Sequence, residues 1–92
     1  MWSRRNNIIN MEEKRVALIG IIVEPGADTG RVNDVLSHYR DYVIGRMGIP
    51  YRERGISIIS VAVDAPADVI SSISGKIGQI PGISTKTLYA KV

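Results

Sequence analysis

Two stretches of the chain are apolar at almost every position. Residues 15–23 read RVALIGIIV, and residues 56–64 read ISIISVAVD, in which Ser57 and Ser60 are the internal breaks. Successive side chains of a strand point to opposite faces, so a strand with one face in water alternates apolar and polar residues. Neither stretch alternates in this way. Each therefore predicts a central β-strand that is covered on both faces.

Two other segments carry apolar residues at helical spacings of three and four. Residues 31–43, RVNDVLSHYRDYV, predict a first helix whose free N–H groups are capped by Asp28 or Thr29. Residues 65–80, APADVISSISGKIGQI, predict a second helix with Pro66 in its first turn and Gly78 as its stop. The two apolar stripes comprise Val32, Val35, Leu36, Tyr39 and Val43 in the first helix, and Val69, Ile70, Ile73 and Ile77 in the second.

Two weaker strand patterns complete the chain. Residues 43–51, VIGRMGIPY, contain Gly45, Gly48 and Pro50, and proline lacks the N–H that a central strand needs. Residues 83–92, ISTKTLYAKV, alternate between two faces of a strand. One face carries Ile83, Thr85, Thr87 and Tyr89, and the other carries Ser84, Lys86, Leu88 and Ala90. Both segments are therefore predicted to be edge strands.

The predicted order is strand, helix, strand, strand, helix, strand. Right-handed crossovers place both helices on the same face of the sheet. We therefore expect an α+β ferredoxin-like sandwich over residues 15–92, with a four-stranded antiparallel sheet. Residues 1–14 are expected to form an N-terminal leader to this domain, either flexible or ordered against a neighbouring subunit.

This arrangement leaves one sheet face without helices, although both central strands are apolar on both faces. Exposed apolar patches of that size usually mark an interface. We therefore expect a homo-oligomer that buries the second face. The alternative is that the N-terminal leader covers this face within one chain.

Composition narrows the class of protein. The chain has 92 residues, a formal net charge of +3 and no cysteine, which excludes disulfides and thiolate chemistry. The small positive charge weakly favours anionic partners. No segment approaches the roughly 18 apolar residues of a membrane helix, and the first residues lack the apolar run of a signal peptide. We expect a cytoplasmic protein with no membrane partner.

Residues that carry chemistry are sparse. The single histidine, His38, falls beside the apolar stripe of the first predicted helix and is expected to be a solvated residue. The serines are scattered without a neighbouring histidine, so we expect no catalytic residue. A transition-metal site needs several ligands, and no metal or cofactor is expected. The central strands lack the aromatic residues on which bases stack, so we expect no direct nucleic-acid binding.

One loop has the composition of a small-molecule contact. Residues 24–30, EPGADTG, contain Gly26, which allows close approach of the backbone, and Asp28 and Thr29, which offer polar contacts. Arg46 of a neighbouring subunit could face this loop. In the alternative interpretation, Pro25 and Gly26 form a turn and Asp28 caps the helix.

Several segments of the chain resemble known protein families. The element order, the Pro25–Gly26 pair and the IPGI turn at 80–83 resemble ACT-like regulatory domains. The runs GRMGIPYRERGISIISVAVD (45–64) and GKIGQIPGIS (75–84) resemble a family of small stand-alone proteins assigned as regulators of the iron-only hydrogenase system. The resemblance covers residues 14–92.

The resemblance implies a fold similar to the C-terminal domain of the nickel-responsive transcription regulator, and a dimer or tetramer formed through the sheets. That regulator's metal site uses several histidines and a cysteine. This chain has only His38 and no cysteine, so that site cannot be carried over. ACT-like domains commonly bind small effectors near the first loop and at subunit interfaces. Gly26 matches the glycine of that loop, while Asp28, Thr29 and Arg46 are assigned as effector-binding residues by position.

Two functions are expected on this basis. The first is a small non-enzymatic, ACT-like oligomeric (transcriptional) regulator of an iron-only hydrogenase system that senses a small-molecule effector at a subunit interface. The alternative is an assembly or interaction subunit that binds a protein partner and no small ligand.

Overall fold

The computed structural model of the protein describes residues 13–91. Its strands are β1 (Lys14–Val23), β2 (Val43–Tyr51), β3 (Ile56–Pro66) and β4 (Ile83–Tyr89), and its helices are α1 (Thr29–His38) and α2 (Ala67–Gly78). Short 3-10 turns at Arg40–Tyr42 and Arg52–Arg54 flank β2. Residues 1–12 of the predicted leader, and the arm they could form, lie outside the described residues, as does Val92.

The four strands form one antiparallel sheet in the order β2-β3-β1-β4. Ile19 at the middle of β1 lies opposite Val61 of β3 on one side and Thr87 of β4 on the other. The fold is therefore the predicted α+β βαββαβ sandwich. The two most apolar segments are the central strands and the two weaker segments are the edges, as their sequences indicate.

The core lies between the helices and one face of the sheet. β1 contributes alternate residues, among them Ile19 and Ile21, which are fully buried. α2 contributes Ile70, Ile73 and Ile77, which recur at spacings of three and four and are also fully buried. Burial of each such side chain stabilises the fold by about 1.5–3 kcal/mol before conformational entropy is subtracted. The layer is apolar throughout, and no polar side chain of the described residues is buried in it.

The first helix is shorter than predicted. α1 ends at His38, and Tyr39 leaves helical geometry with φ −105° and ψ 20°. A 3-10 turn follows, and Val43 then pairs with Val63 of β3 as the first residue of β2. Val43 matches the helical spacing and does pack against the core, but it does so from the sheet. The apolar spacing alone cannot distinguish these two ways of reaching the same core.

The second helix differs from its prediction at its start and ends at Gly78, as predicted. β3 continues to Pro66, which precedes α2 rather than occupying its first turn. Proline is accommodated there because it is the last residue of its strand, where the ladder no longer needs its N–H. Gly78 is the last residue of α2, and the left-handed residue that turns the chain is Gly82, with φ 80°. Within residues 13–91, no helix is long and apolar enough to cross a membrane.

Candidate functional site

The sheet face opposite the helices carries large apolar side chains on all four strands, with a few polar residues such as Ser60 and Lys86 among them. We call it the open face. Its large apolar side chains are 37 to 70% exposed. They are Val16, Leu18 and Ile22 of β1, Met47, Ile49 and Tyr51 of β2, Ile58 of β3 and Leu88 of β4. The helices cover one face of the central strands, as predicted, whereas no described segment covers the open face, so its predicted cover stays a prediction.

A shallow groove crosses the middle of the open face. Gly20 of β1 lies between Ser60 of β3 and Lys86 of β4, and these residues help to line a depression of about 540 Å³. Ile22 and Ile58 line one part of this groove. A Cβ atom at Gly20 would meet only the backbone oxygen of Lys86, at 3.8 Å. The glycine is therefore not required by packing within the chain.

The loop after β1, residues 24–28, has the geometry of a tight turn followed by a helix cap. Gly26 adopts a left-handed conformation with φ 81°, and no atom lies within 4 Å of the position of its absent Cβ. Asp28 is the N-cap of α1, and its Oδ1 accepts a hydrogen bond from the backbone N–H of Arg31 at 3.3 Å. Thr29 begins the helix. The structure thus brings Gly26, Asp28 and Thr29 together, and Asp28 performs the capping role of the alternative interpretation.

Two other turns hold this loop in place. The backbone N–H of Glu24 donates to the carbonyl of Gly82 at 2.8 Å. A Cβ at Gly82 would lie 3.1 Å from Cβ of Ala27, and one at Gly55 would lie 3.2 Å from Cγ of Pro25. Both glycines have positive φ. Three left-handed glycines therefore meet at one end of the sheet and position the loop against its neighbours.

Arg46 lies apart from the loop within one chain. It is opposite Val61 in the middle of the sheet, and Pro50, four residues further along β2, is level with the end of β1. At about 3.3 Å per residue this offset along the strand direction is about 13 Å. The Arg46 side chain nevertheless reaches α1, because its guanidinium Nη2 donates to Oδ1 of Asn33, one helical turn after Thr29, at 3.0 Å. The backbone of the fourth predicted site residue is thus apart from the other three, while its guanidinium lies beside the helix that begins at Thr29.

Arg46 instead has a second arginine beside it. A concavity of about 370 Å³ between α1 and β2 is lined by both Arg40 and Arg46, together with Asn33 and Ser37. Arg40 donates from Nη1 to the carbonyl of Ser37 at 3.2 Å. Arg40 and Asn33 are not among the predicted site residues, because the helical spacing places Arg40 within the first predicted helix. The early end of α1 brings Arg40 into this concavity.

The single histidine is at the exposed C-terminal end of α1. The His38 ring contacts the Tyr39 ring edge-on, with 5.0 Å between their centroids. In the described part of the chain, no three His, Asp or Glu side chains are grouped so that they could hold a metal ion. His38 is thus a surface residue, as its position beside the apolar stripe indicates.

Comparison with solved structures finds two informative matches. The uncharacterised protein TM1266 from Thermotoga maritima is 35% identical, with a TM-score of 0.82 over 86% of this chain and all of that one. A formyltetrahydrofolate deformylase from Pseudomonas putida KT2440 is 15% identical, with a TM-score of 0.57 over 78% of this chain and 28% of the enzyme. The second likeness shows the ACT-like, ferredoxin-like fold alone. No curated protein matches the sequence.

Residues 15–87 match a protein family directly. The matched range includes both helices, β2 and β3 in full and most of β1 and β4. The resemblance in the segments at 45–64 and 75–84 is thereby confirmed. The chain belongs to the TM1266-like family, described as "Iron-only hydrogenase system regulator, putative".

Proposed function

We propose that this protein is a non-enzymatic regulator of an iron-only hydrogenase system. In this proposal it works as a homo-oligomer joined through the open face and responds to a small effector at a subunit interface. Family membership supports the regulatory role. The single observation that carries the proposed assembly is the exposed apolar surface of the open face.

The size of this surface is the first argument for assembly. From their exposed fractions, the eight large apolar side chains of the open face together present roughly 700 Å² to solvent. This is above the roughly 300–600 Å² of the largest patch on an ordinary monomer. It is close to the about 800 Å² that each partner buries in an interface of standard size.

The second argument identifies a second copy of the chain as the occupant. Most soluble oligomers are symmetric, and a two-fold interface joins the same patch on both subunits. The open face carries a cation, Lys86 on β4, and an anion, Asp64 on β3, beside its apolar centre. A patch with both signs of charge can be complementary to its own copy. A strongly charged partner would gain nothing from such a surface.

The proposed effector contacts are Gly26, Asp28 and Thr29 in the loop and Arg46 on β2. The open space around Gly26 supports close approach of a ligand to the backbone. The Arg46 guanidinium contacts Asn33, one turn of α1 after Thr29, so one small effector beside the first turns of α1 reaches both regions. The location at a subunit interface rests on the likeness to ACT-like domains, which commonly bind effectors there.

Light scattering on the full chain, and on a chain that begins at Glu13, tests the proposed assembly. We expect a dimer or tetramer in both cases. A monomeric full chain would refute assembly, and a full-length monomer that dimerises after truncation would identify the leader as the cover of the open face.

Thermal unfolding with a panel of small metabolites tests effector binding. We expect at least one to raise the melting temperature, and Asp28→Ser and Thr29→Val to reduce that shift. Serine keeps the helix cap while removing the carboxylate, which separates binding from helix stability. If a purified protein partner raises the melting temperature and no small molecule does, the protein is instead an interaction subunit without a ligand.

A further inference from the structure

The concavity between α1 and β2 has the features of an anion-binding pocket. We call it the arginine pocket; it lies on the helix side of the sheet at the exposed β2 edge. Arg40 and Arg46 both line it, and Leu36 and Val43 provide apolar surface between them. None of the lining residues is acidic. Its volume of about 370 Å³ falls in the range of small-molecule sites, about 300–1,000 Å³.

Each guanidinium is held by one hydrogen bond to α1. Arg46 donates to the Asn33 side chain at 3.0 Å, and Arg40 donates to the Ser37 carbonyl at 3.2 Å. A guanidinium has five N–H donors, so each arginine keeps four donors with no acceptor among the described residues. The two arginines therefore line one concave site, and each guanidinium is oriented by its hydrogen bond to α1. Planar guanidinium groups of this kind bind carboxylate and phosphate oxygens in bidentate fashion.

A β-bulge places Arg46 in this pocket. Val43 lies opposite Val63 and Gly45 opposite Ala62, so Ile44 is an extra residue in β2. Arg46 is three positions after Val43, and in a regular strand two residues three positions apart would point to opposite faces. Because of the bulge, both lie on the helix side of the sheet. Bulges are frequent beside functional sites, where they change the direction of a side chain.

The bulge also decides which residues form the open face. With regular alternation from Val43, Arg46 would lie among the apolar residues of that face, and Met47 and Ile49 would face the helices. The extra residue therefore moves a charge away from the proposed interface and into the pocket. One local irregularity serves both surfaces.

We propose that the arginine pocket binds a small organic anion. Its carboxylate or phosphate head lies between the guanidinium groups of Arg40 and Arg46, and its short apolar portion packs on Leu36 and Val43. Arg46 belongs both to this pocket and to the proposed effector contacts, so the regulatory meaning of the pocket rests on the proposed function. Binding itself does not, because one chain supplies the whole pocket.

Titration calorimetry on the full chain, at constant ionic strength maintained with chloride, tests the pocket with three probes. Inorganic phosphate measures the head group alone, butyl phosphate adds an apolar portion, and butyrate presents a carboxylate on a similar chain. We expect butyl phosphate or butyrate to bind more tightly than inorganic phosphate. The tighter of those two identifies the preferred head group. If none of the three probes gives a heat of binding, the proposal is overturned.

Matched variants locate the binding. Arg46→Gln and Arg40→Gln should each weaken the tightest probe about tenfold or more, because charge-assisted hydrogen bonds contribute about 1.5–3 kcal/mol. Arg46→Lys should fall between Arg46→Gln and the wild type, since it keeps the charge but loses the planar fork. Arg52→Gln and Arg54→Gln, in the exposed turn after β2, change the net charge equally and should bind as the wild type does.

Equal weakening in the controls would show nonspecific charge attraction and overturn the pocket. Circular dichroism confirms that each variant is folded. Light scattering on Arg46→Gln separates this proposal from the proposed assembly. We expect an unchanged mass with lost anion binding, whereas a wild-type monomer that binds the anion would refute assembly and leave the pocket intact.

Discussion

Replacement of Leu18 with aspartate should dissociate the proposed oligomer while leaving the subunit folded. Leu18 is central in the open face, between Ala62 of β3 and Leu88 of β4. It is 43% exposed in the isolated chain, so part of its surface remains to be buried by a second copy. Aspartate is too short to carry its charge out of such an interface, unlike lysine, which can extend to its rim.

The magnitude follows from the burial of this position in two copies. Loss of the remaining apolar burial costs about 1 kcal/mol per copy, taken as roughly half of the value for a fully buried leucine. Desolvation of an unpaired carboxylate adds several kcal/mol. A two-fold interface contains the substitution twice. Even about 2 kcal/mol per copy gives about 4 kcal/mol in total, which is a roughly thousandfold weaker dimer.

Sedimentation velocity across a wide range of chain concentration measures this effect. Ser72→Asp, which adds the same charge to an exposed position of α2, is the control and should assemble as the wild type does. Unfolding in urea should show a smaller change in the subunit, about 1 kcal/mol, from the lower strand propensity of aspartate. A Leu18→Asp protein that keeps the mass of a wild-type oligomer would refute assembly through the open face.

Three further predictions concern the stability of the fold, and urea unfolding of each variant measures them. Gly82→Ala should cost about 1–2 kcal/mol, because φ is 80° and the new Cβ would lie 3.1 Å from Ala27, whereas Gly48→Ala, with open space around it, should cost nothing. Asp28→Ala should cost about 1 kcal/mol through loss of the helix cap, and Asp28→Ser should retain most of that stability; equal losses would argue against a capping role. Ile73→Ala in the fully buried layer should cost about 2–5 kcal/mol, and a loss below that range would indicate a core that closes around the cavity.

The sequence predicts the sheet better than it predicts the helix ends. The order of the strands follows from residues 15–23 and 56–64, whose continuous apolar pattern suits only central strands. The end of α1 does not follow from the pattern. Tyr39 and Val43 fit helical spacing and also pack against the core. Strand pairing between Val43 and Val63 therefore decides whether this segment continues the helix or begins β2.

The candidate sites also differ in how far the sequence predicts them. The open face is predictable, because it is the second apolar face of strands whose first face is covered by helices. The groove at Gly20 depends on its neighbours Ser60 and Lys86, which only the register identifies. The arginine pocket depends on the bulge at Ile44. A bulge is set by cross-strand pairing and by which residues are favourable on each face, and neither is visible in one strand alone.

The distance between spin labels on the open face is the most direct test of assembly through that face. The chain has no cysteine, so Ser84→Cys on the rim of the open face and Ser72→Cys on the outer side of α2 each carry one label per chain. Sheets stacked face to face lie about 10 Å apart, so open-face labels in a dimer should be within about 25 Å of each other. Labels on α2 should be about 30 Å apart or more, because two helix layers also separate them. A shorter distance for Ser72→Cys than for Ser84→Cys, or no coupling for Ser84→Cys, would contradict assembly through the open face.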